Sequence, residues 1–468
     1  DRLPAMMVPR DEVGLWSILK HCMGKDLSKI TIPVVFNEPL SFLQRMAEIF
    51  EYCNYLNIAD QCDDVVERME NVCAFIISSY SSNYLRLNKP FNPLLGETFE
   101  FEVPSAQTRI VLEQVSHHPP ISAWHAESPH FVMRGSINPR LRFWGKSIEV
   151  KPEGSLELTL KRSEETYTWK SVNCCVHNII VGKLWFEQYG DVEVVNHSNK
   201  YRISLNFKSA SWFSGYELNR FDGFILNERK ERVRFLYGKW NDYLKSASPA
   251  DYEEYLRTNK QFRVPEEAAV IGDYHHDNFA AGSRKVISKL GSLTKQLTGT
   301  GGGSGDDKTQ ETLTASEQQQ EEMGESGQQQ LPKSDSSHSL DISNSRILWK
   351  VQPRPEHSPA YYHFNSFAFS LNELPADSTL VDTYPITDSR FRPDIRKLEE
   401  GDLDGAAAEK HRLEEKQRET RKLLKKRKEK EPEPLWFGKQ VSPLTKEEEW
   451  TFNQKYWNRD WSRCPDIF

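Results

Sequence analysis

The chain has 468 residues, of which 37% are hydrophobic and 28% charged, with a net charge of -7 at pH 7. That length exceeds an ordinary single domain, and 12 Trp, 17 Tyr and 24 Phe supply a sizeable core. The acidic balance excludes a wholesale nucleic-acid coat, although an average of this kind hides local patches.

Helical spacing comes first. Leu15, Ile18, Leu19, Cys22 and Met23 share one face, after a proline-punctuated leader carrying Met6 and Met7. Pro33 and Pro39 interrupt that pattern, and a helical segment is predicted over 41–84. Phe42, Met46, Ile49 and Phe50 recur there at helical intervals, as do Val65, Met69, Val72, Cys73 and Ile76.

After Lys89 the texture changes to short alternating runs separated by turn signals, which predicts an antiparallel sandwich or barrel. Strands are predicted at 110–115, 156–160, 167–169, 179–189, 201–207, 221–226 and 232–237. A sheet this long must curl, and a barrel of well over eight strands encloses a cavity.

Val286, Ile287, Leu290, Leu293 and Leu297 line one helical face, readable as a capping helix, a linker or a membrane-surface helix. The Gly- and Gln-rich segment 299–344 buries too little to fold and reads as a disordered insertion. Order resumes at Arg346, with strand-like stretches around 361–371. The segment 403–430, rich in Ala, Glu, Lys and Arg, predicts one long basic helix, and the aromatic segment 450–468 is expected to pack back onto the body.

Seven cysteines, an odd number with no CxxC pair, read as reduced thiols of a cytosolic protein. No ligand pairs stand at zinc spacing. No run approaches the ~18 consecutive apolar residues of a membrane span. No signal peptide is visible, and an opening on Asp1 suggests a fragment whose targeting modules lie upstream. Membrane contact is therefore expected to be peripheral.

The segment EQVSHHPP at 113–120 ends a predicted strand, and its two prolines are expected to hold the exit extended. Two adjacent imidazoles, His117 and His118, offer N–H donors there, and either can become cationic beside an anion. The plainer reading has them satisfying buried backbone groups. This octapeptide resembles the fingerprint of the oxysterol-binding-protein-related family. Further blocks resemble that family in the same order: GKDLSK at 24–29, FNEPL at 36–40, KPFNPLLGET at 89–98, FWGK at 143–146, HNIIVGK at 177–183, TDSRFRPD at 387–394 and CPDIF at 464–468.

The resemblance implies a mainly β fold with helical N-terminal and C-terminal parts. It implies a large, near-complete antiparallel β-barrel around an apolar lipid tunnel, closed by an N-terminal lid. The whole chain, 1–468, is then one lipid-transfer domain. Its lid and leader occupy 1–32, its helical segment 41–84, its barrel 89–282 and 346–400, and its basic helix 403–430. The implied function is non-catalytic transfer, in which a sterol is exchanged against a phosphoinositide such as phosphatidylinositol 4-phosphate. A phosphatidylserine exchanger and a lipid-sensing scaffold acting on protein partners are the alternatives.

Carried over by position, the head-group contacts are Lys89, Asn92, His117, His118, Lys410, Glu414 and Arg418, with Leu27, Ser28 and Lys29 contributed by the lid. Lys410, Glu414 and Arg418 stand at i, i+4 and i+8 on one helical face, a spacing that in isolation suggests only a salt-bridge ladder. Arg can grip a phosphate through two hydrogen bonds, while Lys acts as a point charge. Glu414 can accept from ring hydroxyls or orient its basic neighbours. Sixteen acyl carbons leaving a bilayer at roughly 0.8 kcal/mol each cost on the order of 10 kcal/mol in water, so a closed apolar cavity is required.

No GxSxG elbow, HExxH, Walker loop or metal cluster stands in the sequence, so no enzyme activity, cofactor or metal is expected. The expected partners are the two lipids and cytosolic membrane faces, at the endoplasmic reticulum and a phosphoinositide-rich membrane, without nucleic acid. The basic run from Arg418 to Lys430 is readable as a solvated helix end, an attractor of anionic lipid, or a nuclear-localisation signal.

Overall fold

A computed structural model describes residues 2–8, 32–144, 146–179, 183–210, 218–259, 340–375 and 383–468. The expected lid residues Leu27, Ser28 and Lys29, the amphipathic run at 15–23 and the apolar face at 286–297 lie outside them. The chain divides into two compact units, Asp1–Tyr252 with Gln329–Phe468, and Glu253–Gln328. Within the second unit only 253–259 are described, as the end of one helix.

The first unit opens with β1 (Asn37–Ser41), then α1 (Phe42–Ala47), α2 (Asn54–Gln61) and α3 (Val65–Ser81). Ser41 starts α1 through a capping box with Gln44, and Asp64 caps α3 by accepting from the Glu67 N–H. A short β2 (Lys89–Phe91) pairs with β1 in parallel.

Then come β3 (Thr98–Val103), β4 (Thr108–His117), β5 (Pro120–Glu127), β6 (Phe131–Trp144), β7 (Ser147–Glu153), β8 (Leu156–Leu160), β9 (Glu165–Trp169) and β10 (Asn173–His177). They continue through β11 (Trp185–Asn196), β12 (Arg202–Phe207), β13 (Arg220–Leu226), β14 (Arg232–Lys239) and β15 (Tyr243–Ala247). After α4 (Pro249–Thr258), β16 (Arg346–Lys350) completes the main sheet. The C-terminal elements are α5 (Ser366–Ser370), α6 (Pro393–Glu399), α7 (Leu403–Arg427), β17 (Phe437–Val441) and β18 (Glu448–Phe452).

Among the described residues, β3 to β16 form one 14-stranded sheet, antiparallel at every pairing. Its order forks at the long strand β6, whose first half pairs with β8 and second half with β7, and it rejoins at β11. The helices settle its curvature. α1 packs on β3 and β4 at one end of the order, while α3 packs on β13, β15 and β16 at the other. Laid flat, twelve strands at ~4.8 Å spacing would span roughly 50 Å, so a helical segment that touches both ends requires a curled, barrel-like sheet. Leu43, Phe50, Phe75, Ile76 and Ile77 of the helical segment join Leu112, Leu158, Val194, Ile203, Phe221 and Leu236 of the strands in one buried core.

The structure corrects several sequence-based expectations. Of the expected barrel segment 89–282, the described strands end at Ala247 and α4 follows, while 260–282 lie outside the described residues. Among the described residues of the expected barrel segment 346–400, β16 is the one strand. The stretch 361–371 is not a strand, because Asn365 caps α5 by accepting from the Ala368 N–H, and Phe364, Phe369 and Leu371 are buried around that turn. The strand expected at 179–189 instead begins at Trp185 and runs to Asn196, after Asn178 turns the chain at φ +61°.

Of the expected disordered insertion 299–344, residues 340–344 are described and pack on the body, and 299–339 lie outside the described residues. Leu340 and Ile342 are buried, and the Tyr237 hydroxyl both accepts from the Ile342 N–H and donates to Ser345. At the leader, Leu3 is buried, Ala5 N–H donates to Glu399 and Met7 N–H to Ala360. α7 ends at Arg427 because Lys428 adopts a left-handed conformation, φ +59°.

Candidate functional site

The site is assembled where β1, β2, α7 and the β4–β5 hairpin meet. Asn37 organises it. Its amide donates to the Lys89 carbonyl (2.9 Å), and its side-chain oxygen accepts from the Lys410 ammonium (3.2 Å). One buried Asn thus ties the KPFN segment to the long helix. Lys410 also donates to the Ile32 carbonyl (2.5 Å), which commits two of its three N–H groups and leaves one. Lys89 donates to the Asn92 side-chain oxygen (2.5 Å), and Asn92 itself is exposed. The buried Phe91 ring lies beneath Lys410 at 5.8 Å and Arg392 at 5.5 Å, so its face is shared by two cations.

Burial, followed by the charges of Lys410 and Arg392, lowers the Lys89 pKa to about 8; Glu414 opposes the shift. Lys410 is lowered too, chiefly by burial. Both shifts disfavour the charged forms, which an arriving anion would restore. With a folded pKa below the usual lysine value, Lys89 is half-deprotonated near pH 8 when no anion is bound. Binding of an anion then takes up a proton. The affinity for a phosphate-bearing ligand is expected to be level below pH 8 and to weaken by up to roughly tenfold per pH unit above it. Isothermal titration across that range checks this, and an affinity unchanged up to pH 9.5 would contradict it.

The His-His-Pro-Pro turn is tighter than an extended exit. β5 begins at Pro120, which pairs with His117, so the prolines form the hairpin turn itself, and the His118–Pro119 peptide is cis. The two imidazoles stand 4.5 Å apart, His118 exposed and His117 partly buried. Burial, then His118 and Arg421, holds His117 down to about 4. His117 is therefore neutral at pH 7 and offers a single N–H rather than a charge.

The first half of the octapeptide has a different task. The buried Glu113 carboxyl group, its pKa pushed up to about 8 by burial, accepts from the backbone N–H groups of Leu435 (2.9 Å) and Trp436 (3.0 Å). Val111, Val115 and Ala123 pack with Trp436, Phe437, Phe452 and Tyr456. EQV therefore fastens the C-terminal hairpin, and SHHPP faces the site.

α7 contributes a residue that its charge pattern hides. The Gln417 amide lies 3.0 Å from His117 Nε2, and its carbonyl oxygen accepts from the Leu95 N–H (2.8 Å). It joins the helix, the imidazole and the loop after KPFN. Gln417 stands i+7 from Lys410 and i+3 from Glu414, so its helical position was the signal available in the sequence. Arg418, by contrast, is exposed and engaged on its own helix, with Glu414 at 3.1 Å and with Glu415. The salt-bridge ladder describes it here.

Beneath the site sits a buried clamp. Glu97 accepts from Ser41 (2.5 Å), the Leu94 N–H (2.9 Å), Ser389 (2.7 Å) and Arg392 (2.9 Å). Arg392 also grips Asp394 at 2.7 and 3.1 Å and donates to the Asn92 carbonyl (2.9 Å). The LLGET and SRFRPD blocks are thus two halves of one network that fixes the KPFN segment from below. Among the described residues, no group of His, Cys, Asp and Glu is placed to hold a metal, and no helix is long and apolar enough to cross a membrane.

A continuous β-rich, barrel-like sheet around a helical core, with a cationic cradle beside a His-His turn, defines a class of lipid-binding domain. The oxysterol-binding protein family profile matches residues 14–461, and the chain belongs to that family. Oxysterol-binding protein-related protein 1 of Rattus norvegicus is 41% identical over 100% of this chain, which spans 44% of that protein's length. Oxysterol-binding protein-related protein 2 of Mus musculus is 40% identical over 100% of the chain and 87% of that protein.

Two solved structures are similar. The Osh1 ORD domain in complex with cholesterol aligns with a TM-score of 0.74 at 32% identity, covering 100% of this chain and 94% of that one. The Osh3 ORD of Saccharomyces cerevisiae in complex with PI(4)P aligns with a TM-score of 0.70 at 28% identity, covering 100% and 98%.

Proposed function

We propose that this chain carries lipids between membranes, exchanging a sterol against a phosphoinositide such as phosphatidylinositol 4-phosphate. In this reading the phosphate sits among Lys89, Lys410 and the His117–His118 turn. Asn92 and Glu414 bond the inositol ring, and Arg418 stands at the outer edge. Leu27, Ser28 and Lys29 close over the cargo, whose apolar part lies in a tunnel within the barrel. No bond of the lipid is made or broken. The exchange takes place at cytosolic membrane faces, with the endoplasmic reticulum as one side and a phosphoinositide-rich membrane as the other.

The observation that carries the reading is the electrostatics of Lys89. Its ammonium is held beside Lys410 and Arg392 in a partly buried place, where its charged form is disfavoured until an anion arrives. The ligands of the two solved relatives, a sterol in one and PI(4)P in the other, support the pairing of cargoes.

The test is mass spectrometry of lipids co-purifying with the domain from cells. Intact sterol or intact phosphoinositide is expected, the two together amounting to about one molecule per chain, since each needs the whole apolar cavity. Recovery of neither lipid, or of hydrolysed products, would contradict the proposal.

A further inference from the structure

α7 has two parts. Through Gln417 it is tied to the body: Ala406 and Leu413 are buried, and Lys410 and Gln417 bond β1 and the hairpin turn. From Arg418 to Arg427 every residue is exposed except Arg421 and Leu424, which are half-buried. Those outer turns carry Arg418, Arg421, Lys422, Lys425, Lys426 and Arg427, against Glu419 alone on the same stretch.

The cations are ordered. At 3.6 residues per turn, Arg418, Lys422, Lys425 and Lys426 fall within an arc of about 100°, next to the face that carries Lys410, Gln417 and Arg421. Arg418 and Arg421 find carboxylates, but among the described residues Lys422, Lys425 and Lys426 form no ion pair. Arg418/Lys422, Arg421/Lys425 and Lys422/Lys426 are like-charged i, i+4 pairs, which weaken an exposed helix. The helix dipole offsets that only in the last turn. A stripe of unpaired lysines kept on a protruding helix is relieved by a surface of opposite charge. The stripe is continuous with the head-group site, because Gln417 contacts His117 and the adjoining His118–Pro119 tip is exposed. Leu423, 53% exposed, adds an apolar side chain on the same outer turns.

We propose that the outer turns of α7, with Lys422, Lys425 and Lys426 at their centre, dock on an anionic bilayer and so seat the head-group site against the membrane. The choice of a bilayer over an acidic protein rests on the lipid-exchange reading and on this continuity with the site. Docking through charge makes membrane contact fall with salt, while capture of the head group depends on different residues.

The test compares the wild type with K422E/K425E/K426E in co-sedimentation with phosphatidylcholine vesicles, with and without about 20 mol% phosphatidylserine. The wild type is expected to bind the anionic vesicles roughly tenfold better at low salt, and to lose that preference in the charge-reversed protein and near 0.5 M salt. A water-soluble, short-chain phosphoinositide is expected to bind both proteins equally, which also shows that the variant is folded. Wild-type sedimentation by the variant would overturn the proposal. So would equal binding of the wild type to neutral vesicles, or a parallel loss of the soluble ligand. If the wild type fails to bind the soluble phosphoinositide yet keeps its charge-dependent vesicle binding, the exchange reading falls and the docking surface stands.

Discussion

The double substitution His117→Ala with His118→Ala is expected to abolish phosphoinositide extraction from liposomes while leaving the protein folded. Hydrogen bonds to a charged group are worth about 1.5–3 kcal/mol each, so losing two costs roughly 3–6 kcal/mol, on the order of 10²–10⁴ in affinity. The fold is spared because the imidazoles do not hold the hairpin. Glu113, clamped by two backbone N–H groups, and Val115, packed beneath Trp436, do that. At His117 the native-state loss is the contact from Gln417, about 1 kcal/mol. Extraction at the wild-type rate, with an unchanged thermal melt, would remove the turn from the head-group site.

The second large effect is on stability. Glu97→Ala is expected to destabilise the domain by about 3–5 kcal/mol, because it leaves the Arg392 guanidinium buried with part of its pairing gone. Ser41, Ser389 and the Leu94 N–H lose their acceptor in the same step. Against a typical net stability of about 5–15 kcal/mol, that loss leaves little folded protein at 37 °C. Glu97→Gln keeps the shape and some of the acceptors, and is expected to fall between the two. Urea unfolding of the three proteins orders them, and equal midpoints for Glu97→Ala and wild type would contradict the clamp.

Both predictions bear on what a sequence can disclose. The two histidines and the KPFN segment stand out because paired imidazoles before paired prolines, and a lysine before a proline turn, are distinctive as strings. The clamp is not legible in this way. Glu97 and Arg392 are 295 residues apart, and nothing local to either says that they meet. Gln417 was hidden differently, as a neutral residue among charges, on a helix whose basic and acidic spacing drew attention to Arg418. The sheet was legible by alternation, whereas 361–371 alternates aromatics and still folds as a turn of helix. There Asn365, a capping residue visible in the sequence, outweighs the period of two.

The curl of the sheet lies between these cases. Strand length and turn spacing announce many antiparallel strands, but not that α1 and α3 bind its opposite ends and bring them round. The fork at β6 is likewise a tertiary fact. One long strand meets two short partners in succession, and each of those reads locally as an ordinary hairpin.

The central claim is that one chain carries either lipid, in turn, through one site. A two-population liposome assay tests it, with a fluorescent sterol in the donor and a phosphoinositide in the acceptor, both followed with time. Sterol transfer is predicted to accelerate when the acceptor holds the phosphoinositide, with the phosphoinositide moving the opposite way in equal amount. Sterol transfer indifferent to the phosphoinositide, or a single chain holding both lipids at once, would contradict the account.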